Sequence, residues 1–240
     1  VTDYTYGDTV AAPTLTIQLS GSDLAQVNAA ERTISYQLSG SGDSWTEYAE
    51  GLTLPAGEYR WRVAVAETEN YSYRVFYGDF TVHPKELGQP SWSNLNGTYG
   101  TSEAASAEFT GILSGDDLGL EYLYTGTAND GTDYSSATAP TKAGTYTVTV
   151  TIGNANYCIS GEWGDAVMTS AAQAYTIAKA SITLKVDDER ITYGDNAPGY
   201  TYTMTEGTLY YDDRLASILA NVTLTYEDNY AAGDDATNYT

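Results

Sequence analysis

The chain has 240 residues, and its 32 acidic residues outnumber its 10 Lys and Arg, which gives a net charge of −22. This charge repels phosphate backbones and anionic lipid surfaces, so we expect no nucleic-acid partner and no membrane insertion. A single Cys and a single His exclude an intramolecular disulfide and a zinc site built from three or four Cys and His ligands. The 23 Tyr, 34 Thr and 23 Gly predict strands and turns, hence an all-β fold.

Residues 1–84 contain short segments with alternating polar and apolar residues. The predicted strands are Thr14–Leu19, Arg32–Leu38, Trp45–Tyr48, Glu58–Val65, Tyr73–Tyr77 and Asp79–Val82. Within Glu58–Val65 every second residue from Tyr59 onward is a large apolar or aromatic residue. This alternation is typical of an antiparallel sheet with one buried and one solvated face.

Residues 85–179 repeat these signals. The predicted strands are Ser91–Ser93, Glu108–Leu113, Leu120–Thr125, Thr145–Ile152 and Ala172–Ile177. The sequence Ala-Gly-x-Tyr occurs at residues 56–59 and again at 143–146, and Asn-Tyr follows each strand, at residues 70–71 and 156–157. Among the Tyr-Gly dipeptides, those at Tyr6, Tyr99 and Tyr193 recur with spacings of 93 and 94 residues. Self-similarity at a fixed period indicates tandem modules.

Residues 180–240 differ from the first two units. Ser181–Val186, Tyr200–Met204 and Val222–Tyr226 are predicted strands, and helical spacing of apolar residues predicts one short helix over Tyr211–Leu219. This unit is shorter than the repeat spacing, and the first unit begins at its Tyr-Gly signal. We therefore expect the first module to be trimmed at its N-terminus and the third to be incomplete at its C-terminus.

The third unit resembles a known family. The sequence from Tyr193 to Pro198, followed by the alternating residues 200–203, resembles the MBG-type repeats of bacterial surface proteins. Residues 139–146 and 153–157 are similar to the neighbouring Ig-like repeat of the same proteins. The resemblance implies two Ig-like β-sandwich modules, at residues 1–84 and 85–179, followed by a β-grasp-like module with one short helix at residues 180–240.

The same resemblance implies a secreted, cell-wall-associated protein of Gram-positive-type bacteria, in which tandem modules serve as stalk or adhesion repeats. The family has no catalytic motif that could be carried over to this chain. We expect no signal peptide within these residues, because the first residues have neither a basic nor an apolar segment.

Acidic clusters are the first candidates for site chemistry. They are Asp116-Asp117, Asp187-Asp188-Glu189, Asp212-Asp213 and Asp234-Asp235. Such carboxylates could supply oxygen ligands to calcium, but the spacing of an EF-hand loop is absent, so solvated loop or capping residues are the favoured interpretation. A glycosidase pair of carboxylates is expected by chance in so acidic a chain. The sequence predicts no catalytic, cofactor-binding or metal-binding residue.

Aromatic and basic side chains leave alternatives open. The tryptophans Trp45, Trp61, Trp92 and Trp163 could form a sugar-stacking platform or fill cores. Alternation places Trp61 and Tyr146 in cores, whereas Trp163 lies in a predicted loop. The cluster of Arg60, Arg62 and Arg74 could bind an anion, but pairing with Glu47, Glu58 and Glu67 across strands is favoured.

Two single residues are also candidates. Cys158 could be a reactive thiol or pair between chains, but burial in a core is favoured. His83 is expected in a solvated turn and not in a catalytic triad.

These observations predict a non-enzymatic extracellular protein that acts as a spacer and in adhesion, without a cofactor and as a monomer. Its expected partner is a protein or glycan on a host or neighbouring cell. The alternative is an array of carbohydrate-binding modules attached to a secreted enzyme. Exposed, coplanar aromatic rings on one face would favour that alternative, and buried aromatic rings would favour the spacer.

Overall fold

A computed structural model describes residues 2–16, 30–188, 190, 192, 196, 199 and 201–221 of the chain. Their regular structure is β strand apart from one short helix and one turn of 3₁₀ helix, which confirms the all-β class. We use the names first, second and third module for residues 1–84, 85–179 and 180–240, a division that stays a prediction.

The first module contains one five-stranded sheet. Its strands are β1 (Tyr4–Thr5), β2 (Arg32–Leu38), β3 (Thr46–Glu47), β4 (Gly57–Val65) and β5 (Arg74–His83). Their spatial order is β1-β5-β4-β2-β3. β1 pairs with β5 in parallel, and all other neighbours are antiparallel. The sheet is therefore antiparallel, with β2 between β3 and β4, and has one short parallel strand added at its edge.

The second module repeats this topology. Its strands are β6 (Lys85–Glu86), β7 (Ser91–Ser93), β8 (Asn96–Thr98), β9 (Ser106–Glu108), β10 (Leu120–Ala128), β11 (Asp133–Ser136), β12 (Gly144–Ile152), β13 (Tyr157–Cys158) and β14 (Gln173–Ala178). The five-stranded sheet has the order β11-β10-β12-β14-β8, with β8 parallel to β14. Each strand of this order matches one strand of the first sheet, so the repeat read from the sequence is also a repeat of topology.

Four predicted strands differ clearly from the observed structure. Tyr73–Tyr77 and Asp79–Val82 form the single strand β5, because Gly78 pairs with Trp61 and continues the ladder. Glu108–Leu113 was predicted as a strand, but β9 ends at Glu108, and Gly111 at φ +87° turns the chain. Phe109 is buried in the core and Leu113 packs against it, both without strand pairing, whereas Ile112 is exposed. Of Thr14–Leu19, residues 14–16 lie outside any strand and residues 17–19 lie outside the described part.

The buried face of the first sheet is aromatic. Trp61 is 1% exposed and stacks on Phe80 with ring centroids 4.7 Å apart. Tyr36 and Tyr48 meet the same indole edge to face. Val10 and Leu54, from segments outside the sheet, close this core. The alternation in Glu58–Val65 therefore predicted the buried face correctly.

In the second module the sheet packs against a second layer. The β7–β9 pair and the segment around Phe109 and Leu118 cover Val148, Val150 and Ile152 of β12. This is a sandwich arrangement, with the outer face of the sheet in solvent. The repeated sequence Ala-Gly-x-Tyr has one role in both modules. The hydroxyl of Tyr59 donates to the carbonyl of Pro55, and that of Tyr146 donates to the carbonyl of Lys142, each at 2.9 Å.

The described part of the third module holds one antiparallel pair, β15 (Thr183–Val186) and β16 (Tyr202–Glu206), and the helix α1 (Leu215–Ile218) with a 3₁₀ turn at Leu219–Asn221. The helix predicted over Tyr211–Leu219 is shorter at its start because Tyr211 has φ +54°, a left-handed conformation that a helix does not admit. The predicted strand Val222–Tyr226 lies outside the described residues, as does Tyr193-Gly194.

Candidate functional site: the junctions between modules

The two Tyr-Gly signals in the described part of the chain, at Tyr6 and Tyr99, each form a tight turn directly after a parallel edge strand. The amide of Tyr6 donates to the carbonyl of His83 at the end of β5, and the amide of Tyr99 donates to the carbonyl of Ala178 at the end of β14. The following glycines have φ values of +97° and +85°, which favour glycine because a side chain is strained there. The two turns are thus equivalent in sequence, backbone conformation and hydrogen bonding.

The first turn contacts the second module. The hydroxyl of Tyr6 donates to Oδ2 of Asp116 at 2.9 Å, and the hydroxyl of Tyr157 donates to the same oxygen at 2.6 Å. The Tyr6 and Tyr157 rings meet edge to face with centroids 5.4 Å apart. A Cβ atom on Gly7 would lie 2.8 Å from Leu113, so the absence of a side chain permits the close approach. One residue of the first module thereby packs against the core of the second.

Backbone pairing fixes the first residues of the second module beside the same junction, and one hydrogen bond then crosses to the first module. β6 lies parallel to β13, and the amide of Lys85 donates to the carbonyl of Asn156 at 2.8 Å. Oδ1 of Asn156 accepts a hydrogen bond from the amide of Ala56, also at 2.8 Å. The repeated Asn-Tyr signal of the second module therefore meets the Ala-Gly signal of the first.

The second turn contacts the third module in a similar way. The Tyr99 ring packs edge to face on Tyr210 and Tyr211, with centroids 6.1 and 5.5 Å apart. The space where a Cβ of Gly100 would stand is filled by the Tyr210 ring. Asp213 lies close enough to the Tyr99 hydroxyl to contribute to the raised pKa of this phenol. Both junctions thus join a tyrosine from a Tyr-Gly turn to an acidic residue of the following module.

The junctions keep the phenols neutral. Burial, and then the hydrogen bond to Asp116, raise the pKa of Tyr157 to about 12. The hydrogen bond to Asp116 is the largest cause that raises the pKa of Tyr6. For Tyr99, burial raises the pKa first and the nearby Asp213 second. Tyr6 and Tyr157 act as hydrogen-bond donors, and the raised pKa values of all three phenols oppose formation of a nucleophilic phenolate.

The acidic clusters have structural partners. Asp116 and Asp213 lie at the junctions, and Oδ1 of Asp117 accepts the amide of Gly119 at 3.0 Å. Oδ1 of Asp187 accepts the Thr203 hydroxyl. Glu189 and Asp234-Asp235 lie outside the described residues. Among the residues that the structure describes, no three His, Cys, Asp or Glu side chains group as metal ligands do.

Sequence reasoning placed these acids in loops but missed their contact with tyrosine. Asp116 lies 110 residues after Tyr6, and Asp213 lies 114 residues after Tyr99. An Asp-Asp pair follows the Tyr-Gly dipeptide at a similar distance in both cases, and this spacing could have indicated the contact.

The single thiol and the single imidazole also lie near the first junction. Cys158 is fully buried, as expected, and its thiol donates to the carbonyl of Gly161 at 3.4 Å. Burial, with a smaller contribution from Glu86, raises the pKa of this thiol. His83 was expected in a solvated turn, but it is the last residue of strand β5 and is half-buried, and its Nδ1 accepts the amide of Trp163 at 3.2 Å. Both residues therefore make structural hydrogen bonds near the junction. The raised pKa of the thiol opposes formation of a reactive thiolate.

The arginine cluster is divided between two faces of the first sheet. Arg74 pairs with Val65, whose side chain is buried, so Arg74 lies on the opposite face from Arg60 and Arg62. Arg60 forms a cross-strand ion pair, as predicted, but its partner is Asp79 at 2.6 Å and not one of the three predicted glutamates. The strand register explains this, because Arg60 lies directly opposite Asp79.

The four tryptophans have different environments. Trp61 is in the core, as predicted, and Trp92 is half-buried between the two core clusters of the second module. Trp163 is 38% exposed, and Trp45 is half-buried on the outer face of the first sheet. The outer location of Trp45 leaves its ring available for contact with a partner.

Comparison with known proteins assigns no family to these modules. A scan against protein-family models gives no match, and a search of curated proteins gives none either. Within the described part of the chain, no helix is long and apolar enough to cross a membrane.

Proposed function

We propose that these modules are part of a non-enzymatic, extracellular, cell-wall-associated surface protein, in which they act as a spacer and contribute to adhesion. The modules hold a binding surface at a distance from the cell wall. Their junctions restrict bending because each one is fixed by a tyrosine, a glycine turn and a carboxylate.

The observation that carries this proposal is the repetition of the junction. Tyr6 and Tyr99 leave equivalent turns and contact an acidic residue of the following module. An enzyme has no need for the same interface at successive points along its chain, whereas a spacer of tandem modules requires it.

Two further features support the proposal. The largest buried side chains are aromatic, among them Trp61, Tyr124 and Tyr175, and this is the arrangement expected of a spacer. The negative charge is spread evenly, with −7, −7 and −8 over residues 1–87, 88–180 and 181–240. Like charge on successive modules opposes their collapse onto one another.

Small-angle X-ray scattering of the full chain tests the spacer. We expect the profile of an elongated particle with little variation between conformers. Tyr6→Ala removes the ring and the hydroxyl from the first junction, so the distribution of maximum dimensions should broaden. Tyr77→Ala is the matched control, because it removes an exposed tyrosine from a strand face. A compact particle, or an unchanged profile for Tyr6→Ala, would contradict the proposal.

A further inference from the structure

The outer face of the first sheet carries long aromatic and charged side chains, and we call it the aromatic–arginine face. Its members are Trp45, Arg60, Arg62, Tyr73, Tyr77 and Asp79. Tyr73 and Tyr77 are 50% and 62% exposed. The Trp45 and Tyr77 rings lie 5.7 Å apart at a tilt of 40°, although β2 and β4 separate their strands. The two rings therefore lean toward each other over the sheet.

Both arginines are held beside these rings. Nε and Nη2 of Arg60 donate to the two carboxylate oxygens of Asp79, at 2.6 and 3.4 Å. Nη2 of Arg62 donates to the hydroxyl of Tyr73 at 2.7 Å. Among the described residues Arg62 forms no ion pair. The guanidinium groups are thus positioned, and Arg62 has donors to spare for a ligand.

The second module shows that the fold does not require such a face. At the positions equivalent to Arg60, Arg62 and Asp79 it has Thr147, Thr149 and Ala174. Its outer threonines bond to one another, as Thr125 does to Thr147 at 3.0 Å. The same topology is therefore built with small neutral side chains at the positions equivalent to Arg60, Arg62 and Asp79, and these three side chains of the first module need another explanation.

The chemistry of the face matches a neutral ligand. Its arginines are balanced by Asp79, Glu47 and Glu58 on the same side of the sheet, so the face has no positive excess. A net charge of −22 on the whole chain further disfavours an anionic ligand. Exposed rings offer apolar surfaces, and the arginines and carboxylates offer both donors and acceptors.

A depression of about 370 Å³ adjoins the face. Its lining includes Asp3, Glu58, Arg60 and Asp79, so it lies at the Arg60–Asp79 end of the face, and neither Trp45 nor Tyr77 lines it. This volume is within the range of small-ligand sites. A sugar ring has apolar C–H surfaces that stack on aromatic rings and hydroxyl groups that both donate and accept hydrogen bonds, so it fits this combination of groups.

We propose that the aromatic–arginine face binds a neutral saccharide. The inference rests on the adhesive part of the proposed function and is independent of the spacer part. The sugar stacks on Trp45 and Tyr77, and its hydroxyls bond to Arg62 and to the Arg60–Asp79 pair.

Titration of the full chain with lactose, maltose and cellobiose tests the proposal, with sialyllactose as the anionic counterpart of lactose. The readout is the NMR signal of the Trp45 indole N–H, assigned with Trp45→Ala. We expect at least one neutral disaccharide to shift this signal in a saturable way, and sialyllactose to bind less tightly than lactose. Absence of a shift with every neutral sugar, or tighter binding of sialyllactose, would overturn the proposal.

Variants then locate the site. Trp45→Ala and Arg62→Thr should each lower the association constant, measured by calorimetry, by about tenfold, equivalent to about 1.4 kcal/mol. Trp163→Ala, which removes an exposed indole elsewhere, should leave it unchanged. Arg62→Thr introduces the residue found at the equivalent position of the second module. Because the same sheet topology forms there with a threonine, we expect this variant to fold. Unchanged binding in both variants would overturn the site, and neither variant should alter the scattering profile.

Discussion

The first and second modules have the same sheet topology but different side chains on both faces. The core of the first is built around Trp61 stacked on Phe80, whereas the second has Val148 and Tyr175 at the equivalent positions. The outer face of the first carries arginines and aromatic rings, and that of the second carries threonines. The comparison shows which features the fold requires: the Tyr-Gly turn, the tyrosine that bonds to the carbonyl four residues earlier, and the alternation of strands.

The largest effect is expected where the two cores differ. Trp61→Ala should lower the free energy of unfolding of the first module by about 3–5 kcal/mol, because it leaves a cavity beneath Phe80, Tyr36 and Tyr48. Val148→Ala should cost the second module about 2 kcal/mol, because less apolar surface is lost. Urea unfolding followed by tryptophan fluorescence and by NMR of each module measures both. Equal costs would show that the two cores are packed equivalently despite their composition.

The next effect compares the two junctions. Asp116→Ala removes the acceptor of two phenols, so we expect a loss of about 1–3 kcal/mol from the stability of the second module. Asp213→Ala removes the carboxylate beside Tyr99 alone and should cost less. Glu121→Ala is the control, because it removes one charge from the outer face of the five-stranded sheet of the second module. A larger loss for Asp213→Ala than for Asp116→Ala would reverse the proposed ranking of the junctions.

Alkaline pH provides a third comparison. The pKa of Tyr157 is about 12 in the folded chain, above the ordinary value of 10.0. The folded state therefore holds its proton where the unfolded state has lost it. The stabilisation from this group is fully present below about pH 10 and is lost as the pH rises through about 12.

Tyr157→Phe should remove this component of the alkaline loss. Urea unfolding at a series of pH values, together with the absorbance of the phenolate, measures it. Tyr73→Phe on the exposed face of the first module is the control. An identical alkaline loss in wild type and Tyr157→Phe would assign it to other tyrosines.

The regular parts of both modules follow from local sequence patterns. Alternation identified the buried faces of β4 and β12, because side chains on successive strand residues point to opposite sides. The break after Glu108 was not predicted, since Phe109 and Leu113 alternate as strand residues do but are buried without a pairing partner. The alternation of apolar residues indicates which side chains are buried. Whether the segment also pairs as a strand depends on a partner strand elsewhere in the chain.

The junctions were predictable only in part. The Tyr-Gly signal marked the repeat, but its bond to Asp116 joins residues 110 positions apart in a chain with many acids. The division of the arginine cluster depended on register, because a shift of one residue moves Arg74 to the other face. Both features arise from tertiary pairing, which local pattern does not specify.

We expect the smallest effect on stability when side chains on the outer face of the first module are replaced by those at the equivalent positions of the second. This exchange tests the difference between the two outer faces directly. The variant Arg60→Thr/Arg62→Thr/Asp79→Ala should leave the free energy of unfolding close to the wild-type value, because exposed ion pairs contribute little. Urea unfolding measures this free energy. The single variant Arg60→Thr, measured in the same way, shows the effect of leaving the charge of Asp79 without its partner.

The pKa of Asp79 is lowered chiefly by its hydrogen bond to Arg60, so the single variant Arg60→Thr should also raise the pKa of this carboxyl toward its ordinary value. If the triple variant unfolded the first module, the long side chains would be needed for its stability. If it folds normally, the stability of the first module does not account for these side chains.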